Sequence, residues 1–357
     1  MRRILVTGAG GAPAANFVDS LRQANEEFHI VGADASPFMV ELAAVETRYV
    51  IPRADDEAYI DELNSVIEAE GVEFVHPQPD QEVALLARRR AELRTRTFLP
   101  SPETVDLCQD KARLTMTLRD AGLRTPRFAV ATSRESLVAA ASSVVREHGR
   151  AWVRARRGAG SRAALPVSSG ELAGNWADYW VNERGLAYAD FMVSEFLPGP
   201  EFAYQSLWRG GELVSAGVRE RVEYLFGHLF PSGQSSSPSV ARTVDRPDVE
   251  ETAAAAVRAA DPEANGVFCV DLKEDGAGRP LVTEINAGRF FTTSNFFARA
   301  GLNMPYWYVK LGLGEELPEL PPSGLDEGIY WIRMIDVGYK LVRDGEWTSR
   351  RPRGAGG

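Results

Sequence analysis

Over its first hundred residues the chain alternates between short apolar runs and stretches with helical spacing. Residues 3–7 (RILVT) are an unbroken apolar run of strand length, and residues 14–23 repeat their apolar positions every three to four residues. Residues 29–33 (HIVGA) give a second strand that ends at Asp34. Residues 49–51 are short and extended, 59–70 amphipathic, 73–76 another strand, and 81–93 helical again. Strands alternating with helices predict βαβ units and a parallel sheet. At Pro100-Ser101-Pro102 the pattern breaks. Ser101 is placed to cap a helix over 102–108, and Asp110-Lys111 opens another that ends near Gly122. A strand at 127–131, a helix at 136–147 and a strand at 151–154 follow. Further strands are predicted at 191–196, 202–208 and 213–219, and a helix at 250–260. Residues 266–272 and 279–285 form a hairpin about Glu274-Asp275-Gly276-Ala277-Gly278. Residues 224–239, polar and rich in Gly, Ser and Pro, read as a loop over a site. The basic, Gly-rich tail from Arg350 is expected to fray.

Composition narrows the class. A chain of 357 residues with 44% hydrophobic and 25% charged content is that of a soluble globular protein of two or three domains. The net charge of −10 leaves no sustained basic stripe and argues against nucleic acid as a partner. Arg88-Arg89-Arg90 reads as a solvated helix face. Cys108 and Cys269 are far apart, without metal spacing, and read as buried apolar residues in a reducing compartment. Met1 leads directly into the first strand with no signal-peptide pattern, and no run approaches the roughly 20 apolar residues of a membrane span. The expectation is a cytoplasmic protein without membrane attachment.

The candidate chemistry gathers on the hairpin. Period-two alternation puts Glu284 and Asn286 on one face, and Asp271 on the partner strand can lie opposite them. Two carboxylates and an amide oxygen suit Mg²⁺ (or Mn²⁺), which shares its shell between protein oxygens, water and phosphates. Arg289, just beyond, is placed to meet a phosphate or a developing anion. The loop from Arg156 to Arg162, with Gly158, Gly160 and Ser161, is rich in backbone N–H groups and positive charge, as a polyphosphate grip requires. The first turn, Gly8-Ala9-Gly10-Gly11-Ala12-Pro13 followed by Asp34, resembles a dinucleotide fingerprint with Pro13 where its third glycine would stand. It reads first as a packing turn, then as a contact from Gly10 and Gly11 to an anionic substrate, and last as a nicotinamide site. Arg219, Arg221, Ser232 and Gly233 are candidates to hold a substrate carboxylate. His228 reads as an exposed loop histidine.

Taken in order, these pieces resemble the ATP-grasp superfamily, in particular its carbamoyl-phosphate-synthase type, over roughly residues 1–310. The likeness rests on the Gly-rich first turn, His76-Pro77-Gln78-Pro79-Asp80, Asp110-Lys111, and Val153-Arg154 before Gly158-Ala159-Gly160-Ser161. It continues through Ser194-Glu195-Phe196-Leu197-Pro198-Gly199-Pro200-Glu201, Asp271 and Glu284-Ile285-Asn286. The resemblance implies an α/β and α+β chain with four parts. Residues 1–100 would be a Rossmann-like parallel-sheet domain, and 101–190 an ATP-grasp subdomain with the phosphate loop. Residues 191–320 would be a second subdomain with the Mg-ATP site, and 321–357 an extension. It also implies site roles. Lys111 and Arg154 reach the ATP phosphates, while Gly158, Gly160 and Ser161 close over them. Glu195, Phe196 and Leu197 read adenine, Glu201 holds ribose, and Asp271, Glu284 and Asn286 hold the metal. Arg289 and Arg154 act on the transferred group. Arg289 is displaced by one place, because Gly288 stands where the family's arginine follows Asn286, and Ala155 replaces a common proline.

The implied reaction activates a small-molecule carboxylate as an acyl phosphate, hands it to an amine or other nucleophile, and releases ADP and phosphate. A homodimer is among the expectations. Carbamoyl-phosphate chemistry is a second form of this reading, although the chain has room for one ATP-grasp half only. An NAD-dependent oxidoreductase built on the first turn and a non-catalytic ATP-binding regulator stay open as other classes.

Overall fold

The computed structural model describes residues 1–158, 161–235, 237–317, 320, 325–336 and 338–346. The first strands, β1 (Arg2–Thr7), β2 (Phe28–Asp34), β3 (Thr47–Val50) and β4 (Phe74–His76), form a parallel sheet in the order β3-β2-β1-β4. Helices α1 (Ala12–Arg22), α2 (Tyr59–Glu70) and α3 (Asp80–Arg88) make the crossovers. Helix α1 starts two residues before the expected 14, because Pro13 sits in its first turn, where a missing N–H costs nothing. The helix expected to reach 93 ends at Arg88 and gives way to a short 3₁₀ turn.

Helix α4 (Pro102–Gln109) is capped by Ser101, and α5 (Lys111–Asp120) by Asp110. A second, antiparallel sheet has the order β5-β8-β6-β7. Its strands are β5 (Phe128–Val130), β6 (Ala151–Ala155), β7 (Leu165–Val167) and β8 (Phe191–Glu195). It is backed by α6 (Arg134–His148) and α7 (Gly170–Arg184), the latter absent from the sequence reading. Strand β8 therefore pairs on the earlier side of the boundary expected at 190/191.

The third sheet has the order β13-β12-β9-β10-β11-β14-β15. It comprises β9 (Glu201–Arg209), β10 (Glu212–Tyr224), β11 (Pro238–Thr243), β12 (Gly266–Glu274), β13 (Pro280–Ala287), β14 (Ile329–Met334) and β15 (Gly338–Arg343). Helix α8 (Pro247–Ala260) packs on one face; α9 (Ser294–Arg299) and α10 (Met304–Leu313) follow the hairpin. Strand β10 runs five residues past the expected 219 through register shifts beyond Arg221, which carries Arg221 into the sheet. Strands β14 and β15, in the segment expected as an extension, complete the sheet: β14 pairs with β11, and Trp331 is buried against Phe296. The fraying expected from Arg350 concerns residues outside those described.

One apolar core joins the first sheet to the third. Ile4, Val6 and Phe17 share it with Leu207, Val267, Phe290 and Tyr308. The C-terminal ends of the parallel strands are thereby fixed against the β12–β13 hairpin. Among the described residues no helix is long and apolar enough to cross a membrane.

Candidate active site

The three sheets enclose a cavity of about 510 Å³. Each wall follows from local patterning. In β6, Ala151, Val153 and Ala155 turn into the helix-backed core, so Trp152 and Arg154 face the cavity. The Asp110 carboxylate accepts from the N–H groups of Ala112 (3.1 Å) and Arg113 (3.2 Å). That cap makes Lys111 the first residue of α5 and aims it inward. On the hairpin, Asp271 pairs directly with Glu284, and Asn286 lies two residues on along the same face.

The charged groups are arranged as cations against acids. Lys111 Nζ lies 3.4 Å from Glu284 Oε2 and donates to the Gly158 carbonyl at 2.8 Å. Arg154 donates to the Thr283 carbonyl at 2.8 Å. Arg289 donates to Asn286 Oδ1 at 2.5 Å and forks onto the Asp80 carboxylate. Arg221 bridges Glu201 (3.1 Å) and Asp271 (2.5 Å). Glu201 also accepts from Gln234 at 2.7 Å and from the Tyr224 hydroxyl.

Burial lifts the Asp271 carboxyl to about 6; Arg221 opposes this and Glu284 adds to it. Burial acts on Glu284 in the same sense, yet Lys111, Arg154 and Arg289 hold it below the ordinary carboxylate range. Of the two facing acids, Glu284 is therefore the more readily ionised. Among the described residues no three His, Cys, Asp or Glu side chains gather as a metal cluster. The set here is two carboxylates completed by the Asn286 amide, a hard-oxygen set that leaves coordination positions for phosphate and water.

The cavity brings together Lys111, Arg154, Gly158, Ser161, Glu195, Phe196, Leu197, Glu201, Asp271, Glu284, Asn286 and Arg289, along with Gly11 and Arg221. Gly160 lies outside the described residues.

Four expected contacts do not line the cavity. A Cβ on Gly10 would lie 2.1 Å from the Met39 carbonyl oxygen, and its N–H donates to Asp34 at 3.0 Å, so this glycine serves the turn. Arg219 is 1% exposed, with its guanidinium among Phe291, Phe296 and Phe297 and a 3.0 Å bond to the Thr293 carbonyl. Burial, with Arg221 nearby, pulls its pKa down to about 9. Ser232 turns onto Gln234 of its own loop, and Gly233 takes a left-handed φ of 74° there.

Residues the sequence reading passed over also line the cavity: Trp152, Lys273, Gln78 and Gln234. Two carried a usable signal, since Trp152 alternates with Arg154 and Lys273 with Asp271. Gln78 and Gln234 come from loops, where no period exists to read.

Two family models match the chain. "PylC-like, N-terminal domain" covers residues 4–97, and "ATP-grasp in the biosynthetic pathway with Ter operon" covers residues 187–333. No curated protein matches in sequence. Among solved structures, the L-amino acid ligase from Bacillus licheniformis is similar at 16% identity and TM-score 0.66, over 93% of this chain and 79% of that one. Carboxyaminoimidazole ribonucleotide synthase from Aspergillus clavatus, complexed with ATP, gives 16% and 0.67 over 93% and 81%. The biotin carboxylase domain of the Hydrogenobacter thermophilus 2-oxoglutarate carboxylase, solved with MgADP, ADP and bicarbonate, gives 16% and 0.69 over 92% and 73%. Fold, ordered motifs and both models agree: the chain belongs to the ATP-grasp superfamily.

Proposed function

We propose that this protein is an ATP-dependent ligase that activates a carboxylate as an acyl phosphate and transfers the acyl group to an amine. The observation that carries the reading is the cavity's charge pattern. Lys111, Arg154 and Arg289, from three separate elements, face Asp271, Glu284 and Asn286 across one space. A nucleotide with about four negative charges needs both the cations and a metal in an otherwise acidic protein. Nucleotides in the Aspergillus and Hydrogenobacter structures support the same use of this fold.

In this reading Glu201 holds the ribose, and the base lies at the end formed by Trp152, Phe196 and Leu197. Lys111 and Arg154 exchange their present carbonyl partners for phosphate oxygens, which strengthens them as charge-assisted donors. Asp271, Glu284 and Asn286 would hold Mg²⁺, which when bound neutralises phosphate charge. The bond between the γ-phosphorus and its bridging oxygen breaks as a carboxylate oxygen attacks, and ADP leaves. The amine nitrogen then attacks the acyl carbon, phosphate departs, and the nitrogen sheds a proton. Arg154 and Arg289 are placed to stabilise the charge that builds on the transferred phosphoryl and on the tetrahedral centre.

The oxidoreductase reading finds no support at the first turn. Asp34 accepts from the N–H groups of Gly10 (3.0 Å) and Ser36 (2.8 Å), so the acid such a reading needs for ribose is engaged in the turn itself.

The test is a mass-spectrometric product screen over paired carboxylate and amine pools, with carbamoyl phosphate included, alongside ADP release. An ATP-dependent condensation product is expected. MgADP binding with no ADP formed from any pool would point to the regulator instead.

A further inference from the structure

Arg289 reaches the cavity by an unusual route. Strand β13 ends at Ala287, and Gly288 turns out of it at φ 86°, a left-handed angle that favours glycine. A Cβ there would lie 2.7 Å from Val83 Cγ1 and 3.3 Å from Leu99 and from Pro100. The strand end is thus pressed against α3 of the first sheet. The next residue, Arg289, forks onto Asp80 at the start of the same helix, with Nη2 3.3 Å from Oδ2. The residue after that, Phe290, gives its carbonyl to Gln78 Nε2 at 3.1 Å. Gln78 is in turn held by His76 Nε2 at 3.0 Å, and the His76 ring is buried and stacked on Phe17 at 4.0 Å. Val83, Asp80 and Gln78 therefore fall on three consecutive residues, 288 to 290.

We propose that Asp80 and Gln78 are positioning residues for Arg289, so that the first sheet, together with the Asn286 contact from strand β13, sets this arginine against the γ-phosphoryl. The inference rests on the reading above that Arg289 faces that group. Its logic is geometric. A residue following a left-handed glycine has lost the strand's register, and a long side chain there has many rotamers. The Asp80 fork fixes the guanidinium plane, and the Gln78 bond fixes the backbone that carries it.

Simple electrostatics makes the opposite prediction. Asp80 is a carboxylate beside a polyanion site. Were repulsion its only effect, removing its charge would tighten nucleotide binding. As a positioning residue, its loss should weaken the γ-phosphate's share of binding and leave the rest alone.

The experiment is calorimetric titration of the full chain with MgADP and with the Mg²⁺ complex of β,γ-imido-ATP, which needs no acceptor substrate. The ratio of the two affinities reports the γ-phosphate. Arg289→Gln should lower it about tenfold, as loss of one charge-assisted contact implies. Asp80→Asn should lower it several-fold with MgADP affinity held within about twofold, and Asp80→Glu should restore part of it. Combining Asp80→Asn with Arg289→Gln should cost no more than Arg289→Gln alone. Gln78→Met alters no charge and should act in the same direction, which covers the case of an Asp80 variant that fails to fold. If Arg289→Gln leaves the ratio unchanged, the parent assignment of Arg289 fails. If Arg289→Gln lowers the ratio while the Asp80 and Gln78 variants leave it or raise it, only the positioning role is overturned.

Discussion

The β12–β13 hairpin and the first Gly-rich turn look alike on paper, since each sets acidic residues beside glycines at strand ends. Their acids are spent differently. On the hairpin, Asp271 and Glu284 face each other with side-chain cations around them and a cavity beyond. At the first turn, Asp34 is bound to two backbone N–H groups of the turn it closes. Beneath it, Glu82 is 6% exposed and sits with the hydroxyls of Thr7 and Tyr59. A carboxylate bound to its own backbone shapes the chain, while one opposed only by mobile side chains can exchange them for a ligand.

The largest expected effect lies on the hairpin. Glu284→Gln should reduce ATP turnover on the order of a thousandfold, several kcal/mol of phosphoryl stabilisation, without unfolding the protein. ADP release and circular dichroism measured together check it. Near-normal turnover by a folded variant would remove Glu284 from the metal set.

Ligand choice sharpens the contrast next. At about 100 times its Kd, MgADP should stabilise the protein by about 2.7 kcal/mol and raise Tm by roughly 5 °C. NADH should leave Tm unchanged. A shift with NADH alone would return function to the first turn.

The acids of that turn should instead be read out as stability. Burial raises the Glu82 carboxyl to about 7, with the Thr7 and Tyr59 hydroxyls opposing and Asp34 adding to the rise. A folded-state pKa above the unfolded one stabilises below about 4.5, and that contribution is lost as pH rises through about 7. Glu82→Gln should therefore be more stable than the parent at pH 8 by about 3 kcal/mol, and no more stable at pH 4. Urea unfolding at both pH values decides this; an equal effect at the two would show that Glu82 does not titrate in this window.

Asp34→Ala should have the smallest effect, costing about 1–2 kcal/mol of stability through two lost acceptors and leaving MgADP affinity unchanged. A tenfold loss of MgADP affinity in a folded variant would erase the distinction between the two regions.

Much of this was legible along the chain. Apolar period and breakers located most of the strands and helices, because burying one face of an element requires that period locally. Alternation alone put Glu284 and Asn286 together and allowed Asp271 to lie opposite them, but the loop's own register, with Leu272 against Val282, would set Asp271 against Thr283; a register shift between Asp271 and Leu272 brings it to Glu284. What sequence could not fix was any contact made between sheets. Nothing local to Gly288 or Arg289 reveals Asp80, which is 209 residues away. Arg219 and Arg221 are two residues apart on one strand, yet packing sends Arg221 to two carboxylates and encloses Arg219 in phenylalanines. The sequence determined which residues carry charge and which face of its own element each one shares. The tertiary structure decided which of those charges meet an opposite charge, which meet backbone and which meet a cavity, because partners distant in the chain are chosen by the packing of one sheet on another.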